Sequence, residues 1–60
     1  FLEAGDVTHL RRSLGLDEVA FAERMGATLS TVRRWEQGKF RMRVSRAERK
    51  LGVRIHDILA

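Results

Sequence analysis

The chain has 60 residues, no cysteine, no proline and a net charge of +4 at pH 7. This length predicts one domain with a thin core, near the lower limit for independent folding. The absence of cysteine excludes disulfide bonds and a cysteine-based zinc site. No apolar run approaches the roughly 20 residues of a membrane span and no signal peptide is visible, so we expect a soluble, cytoplasmic protein without a membrane partner. The first residue is Phe1 and not Met, which suggests a piece of a longer chain.

Charge is distributed unevenly along the chain. Residues 1–32 carry three arginines and five acidic residues, a net charge of −2. Residues 33–54 carry nine basic and two acidic residues, a net charge of +7. This asymmetry indicates one surface that binds a polyanion and one that does not, although a merely solvated basic surface would have the same composition.

The spacing of apolar residues predicts an all-α chain, because alternation with a period of two is nowhere sustained. A first helix over about residues 6–14 begins after Gly5 and ends at Gly15. A second helix over about residues 18–25 follows Asp17, a favourable N-cap residue. The residues that we expect these two helices to bury are Val7, Leu10, Leu14, Phe21, Ala22 and Met25.

A third helix over residues 29–37 has boundary signals at both ends and a polar side. Gly26 permits the positive φ of a tight turn before it, Thr28 can cap its N-terminus, and Gly38 fits its C-terminus. At 100° per residue, one side of this helix carries Leu29, Ser30, Arg33, Arg34 and Gln37. The other side carries Thr31, Val32 and Trp35, and we expect Trp35 to be a core residue. Such a helix suits insertion into a DNA groove.

The last third of the sequence predicts one irregular segment and two short helices. Residues 39–44 are basic and have no helical pattern. Ser45 and Glu48 have the spacing of a capping box that opens a fourth helix, and Gly52 stops it. Residues 55–59 then form one last turn of helix. The residues that the fourth helix directs inward are Ala47 and Leu51.

With these residues in place, the chain resembles the Cro and phage-repressor family of helix-turn-helix proteins, also called XRE-type. The resemblance covers about half of the chain strongly, and the ensemble of spacings is more specific than any single piece of it. The matching residues are Leu10, Arg11, Leu14, Gly15, Leu16, Phe21, Ala22, Met25, Gly26, Thr28, Ser30, Thr31, Val32, Trp35, Glu36, Gln37, Gly38 and Lys39. A weaker match to the closing helix of the family is provided by Leu51, Gly52, Val53, Ile55, Ile58 and Leu59.

The resemblance implies a compact, lambda-repressor-like domain of four to five helices over residues 1–60, with the helix-turn-helix core at about residues 17–38. The second helix would lie across the DNA backbone and the third in the major groove. The base contacts that it implies come from Leu29, Ser30, Arg33 and Arg34. The backbone contacts come from Thr28, Gln37, Lys39, Arg41 and Arg43. A structural brace would join Arg11 to Glu36.

Three residues refine this expectation. Leu29 stands where family members commonly have a polar residue, so we expect an apolar contact, such as one to a thymine methyl group. Glu18 stands where a glutamine often touches phosphate, so the second helix contacts DNA through backbone N–H groups or not at all. We expect Arg34 rather than Arg33 to contact guanine, because the Glu36 carboxylate could divert Arg33.

No signal for catalysis or metal binding appears in the sequence. His9 and His56 are far apart and lack an acidic cluster, so we expect no metal site. The serines lack a nucleophile motif, and there is no phosphate loop, cofactor motif or evident small-molecule site. We therefore expect a protein that is not an enzyme and needs no cofactor.

The sequence as a whole predicts a DNA-binding transcriptional regulator, most simply a repressor from a prokaryote or phage. Its partner would be duplex DNA read sequence-specifically, and a homodimer is expected because one short helix reads too few base pairs. Two alternatives remain open at this point. The segment could be the DNA-targeting module of a larger protein, such as an antitoxin, recombinase or modification enzyme, or a protein-interaction domain of the same fold.

Overall fold

Five α-helices form the fold in the computed structural model, which describes residues 1–59. They are α1 (Ala4–Ser13), α2 (Glu18–Met25), α3 (Leu29–Glu36), α4 (Val44–Leu51) and α5 (Ile55–Leu59). Within these residues there is no strand, and the antiparallel pairing of Leu2 with Met42 is an isolated bridge. The predicted all-α fold class is therefore confirmed.

The boundaries of α2 and α3 follow from local chemistry, as predicted. The Asp17 side chain accepts a hydrogen bond from the backbone N–H of Ala20 at 2.7 Å, which caps α2. The Thr28 hydroxyl accepts one from the N–H of Thr31 at 3.2 Å, which caps α3. Gly26 ends α2 in the left-handed region with a φ of 66°, a conformation that costs a residue with a Cβ atom free energy.

Two predicted helix starts are wrong, and each error has a physical reason. The first helix begins at Ala4 rather than near residue 6, because Asp6 lies in its first turn and accepts a hydrogen bond from the Glu3 N–H at 3.3 Å. The fourth helix begins at Val44, so Ser45 lies inside it and the predicted capping box does not form. The Glu48 carboxylate instead accepts a hydrogen bond from the Ile55 N–H at 2.9 Å, at the start of α5.

The core draws on every helix and on two residues outside them. α3 packs against α1 and α2, α4 packs against α2 and α5, and α5 packs against α1. The buried residues are Leu2, Val7, Leu10, Phe21, Ala22, Met25, Val32, Trp35, Met42, Ala47, Leu51 and Ile55. One predicted core residue, Leu14, is only partly buried.

Leu2 and Met42 belong to the core although no periodic pattern of apolar residues includes either of them. The Leu2 N–H donates a hydrogen bond to the Met42 carbonyl oxygen at 2.8 Å. Residues 39–43 are irregular and basic, as predicted, and Met42 anchors them by burying its side chain among the helices, whereas Val44, predicted to be irregular, begins α4. This anchor fixes the path of the chain between α3 and α4. It thereby also fixes the backbone positions of Arg41 and Arg43, the basic residues on either side of Met42.

Candidate nucleic-acid interface

The α2–turn–α3 unit presents one side of α3 to solvent. Val32 and Trp35 are buried and attach the helix to the core. The opposite side carries exposed polar residues, while Leu29 at its edge is half-buried. We call these exposed residues the reading side of α3: Ser30, Arg33, Arg34 and Gln37. The structure thus brings three of the four predicted base-contacting residues, Ser30, Arg33 and Arg34, to one exposed side of α3. The fourth, Leu29, lies at the edge of this side, and Gln37, a predicted backbone contact, follows the end of the helix.

A polar brace joins the last turn of α3 to α1, and the predicted pair of Arg11 and Glu36 is present. The Arg11 guanidinium donates to both carboxylate oxygens of Glu36 at 3.1–3.3 Å. Its side chain is 14% exposed and that of Glu36 is 12% exposed, so both charges are largely removed from water. Arg11 also donates to the Leu16 carbonyl oxygen at 3.1 Å, which ties the brace to the loop before α2.

Thr8 completes the brace and was missed by the sequence analysis. Its hydroxyl donates a hydrogen bond to Glu36 Oε1 at 2.7 Å. Thr8 precedes Arg11 by three residues, so both side chains lie on one face of α1. That spacing was the available signal. Together the two residues fix the direction of α3 relative to α1.

Arg33 is paired with a carboxylate, but a different one from the carboxylate expected. Glu36 is engaged by α1, and the partner of Arg33 is Glu18 at the first position of α2, with Nε to Oε2 at 3.5 Å. The expectation that Glu36 diverts Arg33 is therefore wrong, because the brace directs that carboxylate toward α1. The side chains of Arg33 and Glu18 are 59% and 40% exposed, so this ion pair is open to solvent and weak.

Arg34 has an aromatic neighbour instead of a carboxylate. Its guanidinium carbon lies over the ring of Phe40, 5.3 Å from the ring centroid. The Lys39 and Phe40 N–H groups both donate to the Arg34 carbonyl oxygen, at 2.9 and 3.3 Å. Gly38, with a φ of 78°, reverses the chain after α3 and makes this return possible. Sequence reasoning did not single out Phe40, although the glycine just past the helix end signals such a reversal.

Further cations come from the loop between α3 and α4 and from α4 itself. Arg41 and Arg43 both place their guanidinium carbons over the Phe1 ring, at 5.9 and 5.0 Å from its centroid. Arg46 lies over the Trp35 ring at 5.6 Å. From residue 37 to residue 47 the sequence has four basic residues and no acidic one. We call residues 39–43 the basic segment.

The C-terminal end of α4 places one more cation beside the α2–turn–α3 unit. Lys50 Nζ lies 3.8 Å from the point that a Cβ atom on Gly26 would occupy, beside the turn before α3. Arg46 and Lys50 are four residues apart, so they share one side of α4. The surface around α3 is consequently positive along α4, with a carboxylate from Glu18 on the side of α2.

Metal sites, pockets and membrane-spanning helices are absent from residues 1–59. No group of three or more histidine, cysteine or acidic residues is arranged to hold a metal ion there, and no pocket is present. None of the helices in that range is both long and apolar enough to cross a membrane.

Comparisons with known proteins found no relative. No family model matches the chain, no curated protein matches it, and no solved structure matches it. The resemblance to the Cro and phage-repressor family therefore stays a prediction.

Proposed function

We propose that this chain is a helix-turn-helix domain that binds duplex DNA sequence-specifically and regulates transcription, most simply as a repressor. The observation that carries the proposal is the reading side of α3, with two adjacent exposed arginines, flanked by the basic segment. A helix anchored by one buried side and displaying serine, arginine and glutamine on the other has the chemistry that base edges in the major groove require.

Base recognition is assigned to α3. An α-helix with its side chains is about 10–12 Å in diameter, which matches the roughly 12 Å width of the major groove. Arginine donates two coplanar hydrogen bonds to guanine O6 and N7, so Arg33 and Arg34 are the principal candidates. Ser30 can contact either kind of base pair, and Leu29 offers an apolar contact to a thymine methyl group.

Contacts with the DNA backbone are assigned to the ends of α3 and the residues after it. Thr28 and Gln37 flank the helix, and both are exposed. Lys39, Arg41 and Arg43 supply cations that neutralise phosphates and release counterions, which makes binding depend on salt. The Glu18 carboxylate beside Arg33 opposes phosphate contact at the start of α2.

The proposed assembly is a homodimer on a two-fold symmetric site. One helix of this length reads only a few base pairs, and two copies placed one DNA turn apart, about 34 Å, double the sequence that is read. The proposed place of action is the cytoplasm, at the DNA of a prokaryote or phage. The proposed role is binding, without catalysis or a cofactor.

Binding variants of equal charge test the assignment of DNA binding to α3. A site is first selected from a random duplex library, and affinity is then measured by fluorescence anisotropy. The double variant Arg33→Ala/Arg34→Ala should lose preference for the selected duplex. The matched double variant Arg49→Ala/Arg54→Ala removes the same charge from exposed positions to which no DNA contact is assigned, and it should keep the preference. Equal loss of preference in both variants would contradict the proposal.

A further inference from the structure

We propose that Phe40, a residue outside α3, positions Arg34 for contact with one guanine and thereby sets the base preference of the reading side. This inference rests on the proposed DNA-binding function and names a specificity-determining residue within it. Phe40 would act through Arg34 and not by touching a base itself.

The surroundings of Phe40 give the first reason. Its side chain is 48% exposed, and it lies outside the buried core. Its specific neighbour is the guanidinium of Arg34 at 5.3 Å, within the roughly 6 Å over which a ring attracts a cation.

The backbone gives the second reason, because it holds the main chain of Phe40 against the last turn of α3. The Phe40 N–H donates to the carbonyl oxygen of Arg34 itself at 3.3 Å, and the Lys39 N–H donates to the same oxygen at 2.9 Å. Two residues later, Met42 is buried and accepts a hydrogen bond from Leu2. The backbone of Phe40 is therefore held between two fixed points, which keeps its Cβ atom next to the last turn of α3.

The difference between the two arginines gives the third reason. The Arg33 Nε atom lies 3.5 Å from a carboxylate oxygen of Glu18, and a base contact through that nitrogen separates the ion pair. Attraction to the face of a ring uses the charge of a guanidinium and none of its N–H donors. Arg34 is thus restrained in direction while its donors stay available for the O6 and N7 atoms of a guanine.

The stack is tested first in the free protein. Ring-current shifts of the Arg34 side-chain protons, measured by NMR, should be present in the parent chain and in Phe40→Tyr and absent in Phe40→Leu. If the parent and Phe40→Leu give the same Arg34 shifts, the ring does not hold the arginine and the inference is overturned, whatever the chain does with DNA.

The effect on base preference is tested with a duplex in which 7-deazaguanine replaces one guanine of the selected site. This analogue lacks N7, so the parent chain should bind it about tenfold more weakly, and Arg34→Ala should lose that sensitivity. Phe40→Leu should reduce the loss from about tenfold to about two- to threefold, and this roughly three- to fivefold change is the scale of an exposed cation–π contact. Phe40→Tyr, which keeps a ring, should behave as the parent does.

A matched control and two contrary outcomes complete the test. Phe1 is the other exposed phenylalanine with an arginine over its ring, so Phe1→Leu should leave the sensitivity to 7-deazaguanine unchanged. If Phe40→Leu retains the full tenfold sensitivity, or weakens all duplexes alike with a flatter salt dependence, the inference is overturned while the proposed function stands. If the parent chain prefers no duplex at all, the proposed function falls and the inference with it.

Discussion

The two adjacent arginines of α3 have the same chemistry but different surroundings. Arg33 is paired with Glu18 at 3.5 Å, and Arg34 lies over the Phe40 ring. The positions are 100° apart around the helix axis, so the two side chains cannot address the same base in the same way. We still predict that Arg34 contacts guanine, because Arg33 is paired with Glu18. Glu36 is not the cause, since its carboxylate is bonded to Arg11.

Single substitutions should separate the two roles. Arg34→Ala should cost about 1–3 kcal/mol of binding free energy on the selected site and relax the preference at one base pair, because a bidentate guanine contact is lost. Arg33→Ala should weaken selected and scrambled duplexes more evenly. Titrations against all single-base variants of the site measure both effects. The assignment is wrong if Arg34→Ala leaves every base preference intact.

Removing the carboxylate of the brace should destabilise the fold. Glu36→Ala leaves the Arg11 guanidinium largely buried without its counterion, at a cost of about 3–5 kcal/mol, a large part of the stability of so small a domain. The control Arg11→Met/Glu36→Leu removes both charges and should be milder. Urea unfolding followed by circular dichroism measures the difference. A Glu36→Ala variant as stable as the parent would show that the pair is not a brace.

At the scale of elements, α2 places a negative charge beside the reading side of α3. Glu18→Gln should release Arg33 to contact a phosphate. Affinity for all duplexes should then rise, by up to about eightfold at 0.1 M salt, and the slope of log K against log salt should steepen by about 0.9. Glu23→Gln is the matched control, since Glu23 is exposed on the same helix but points about 140° away from Glu18. Identical salt slopes for the two variants would refute this role of Glu18.

The helices themselves could be predicted wherever the signals are local. Asp17 and Thr28 cap the helices that follow them, and Gly26 and Gly38 take the left-handed conformation at the expected points. The start of α4 could not be predicted in the same way. Glu48 has two possible uses, and only the tertiary fold decides that it bonds to the N-terminus of α5 rather than completing a capping box.

The whole molecule has a positive side that follows the chain after α3. The Arg41→Ala/Arg43→Ala variant should weaken binding to all duplexes alike and flatten the slope of log K against log salt by roughly 0.9 for each phosphate contact that is lost. Anisotropy titrations over a range of salt concentrations provide the slope. If affinity falls while the slope is unchanged, these arginines do not contact phosphate.

Part of the candidate site could be predicted from the sequence, but the contacts that other elements make with α3 could not. The reading side of α3 and the Arg11–Glu36 pair follow from a helical wheel and a family resemblance. The contacts that distinguish Arg33 from Arg34 do not, because Glu18 comes from another helix and Phe40 from a loop held by the buried Met42. Such contacts depend on how elements meet, for which a single sequence has no periodic signal.

Sequence-specific binding of duplex DNA is tested by the ratio of two dissociation constants measured at one salt concentration. Duplexes are selected from a random library with the chain, and its affinity is measured for the selected duplex and for a scrambled duplex of the same composition. We expect the chain to bind the selected duplex about 10³-fold or more tightly than the scrambled one, as sequence-specific binding requires. Equal affinity for both duplexes, or no selected sequence at all, would contradict it.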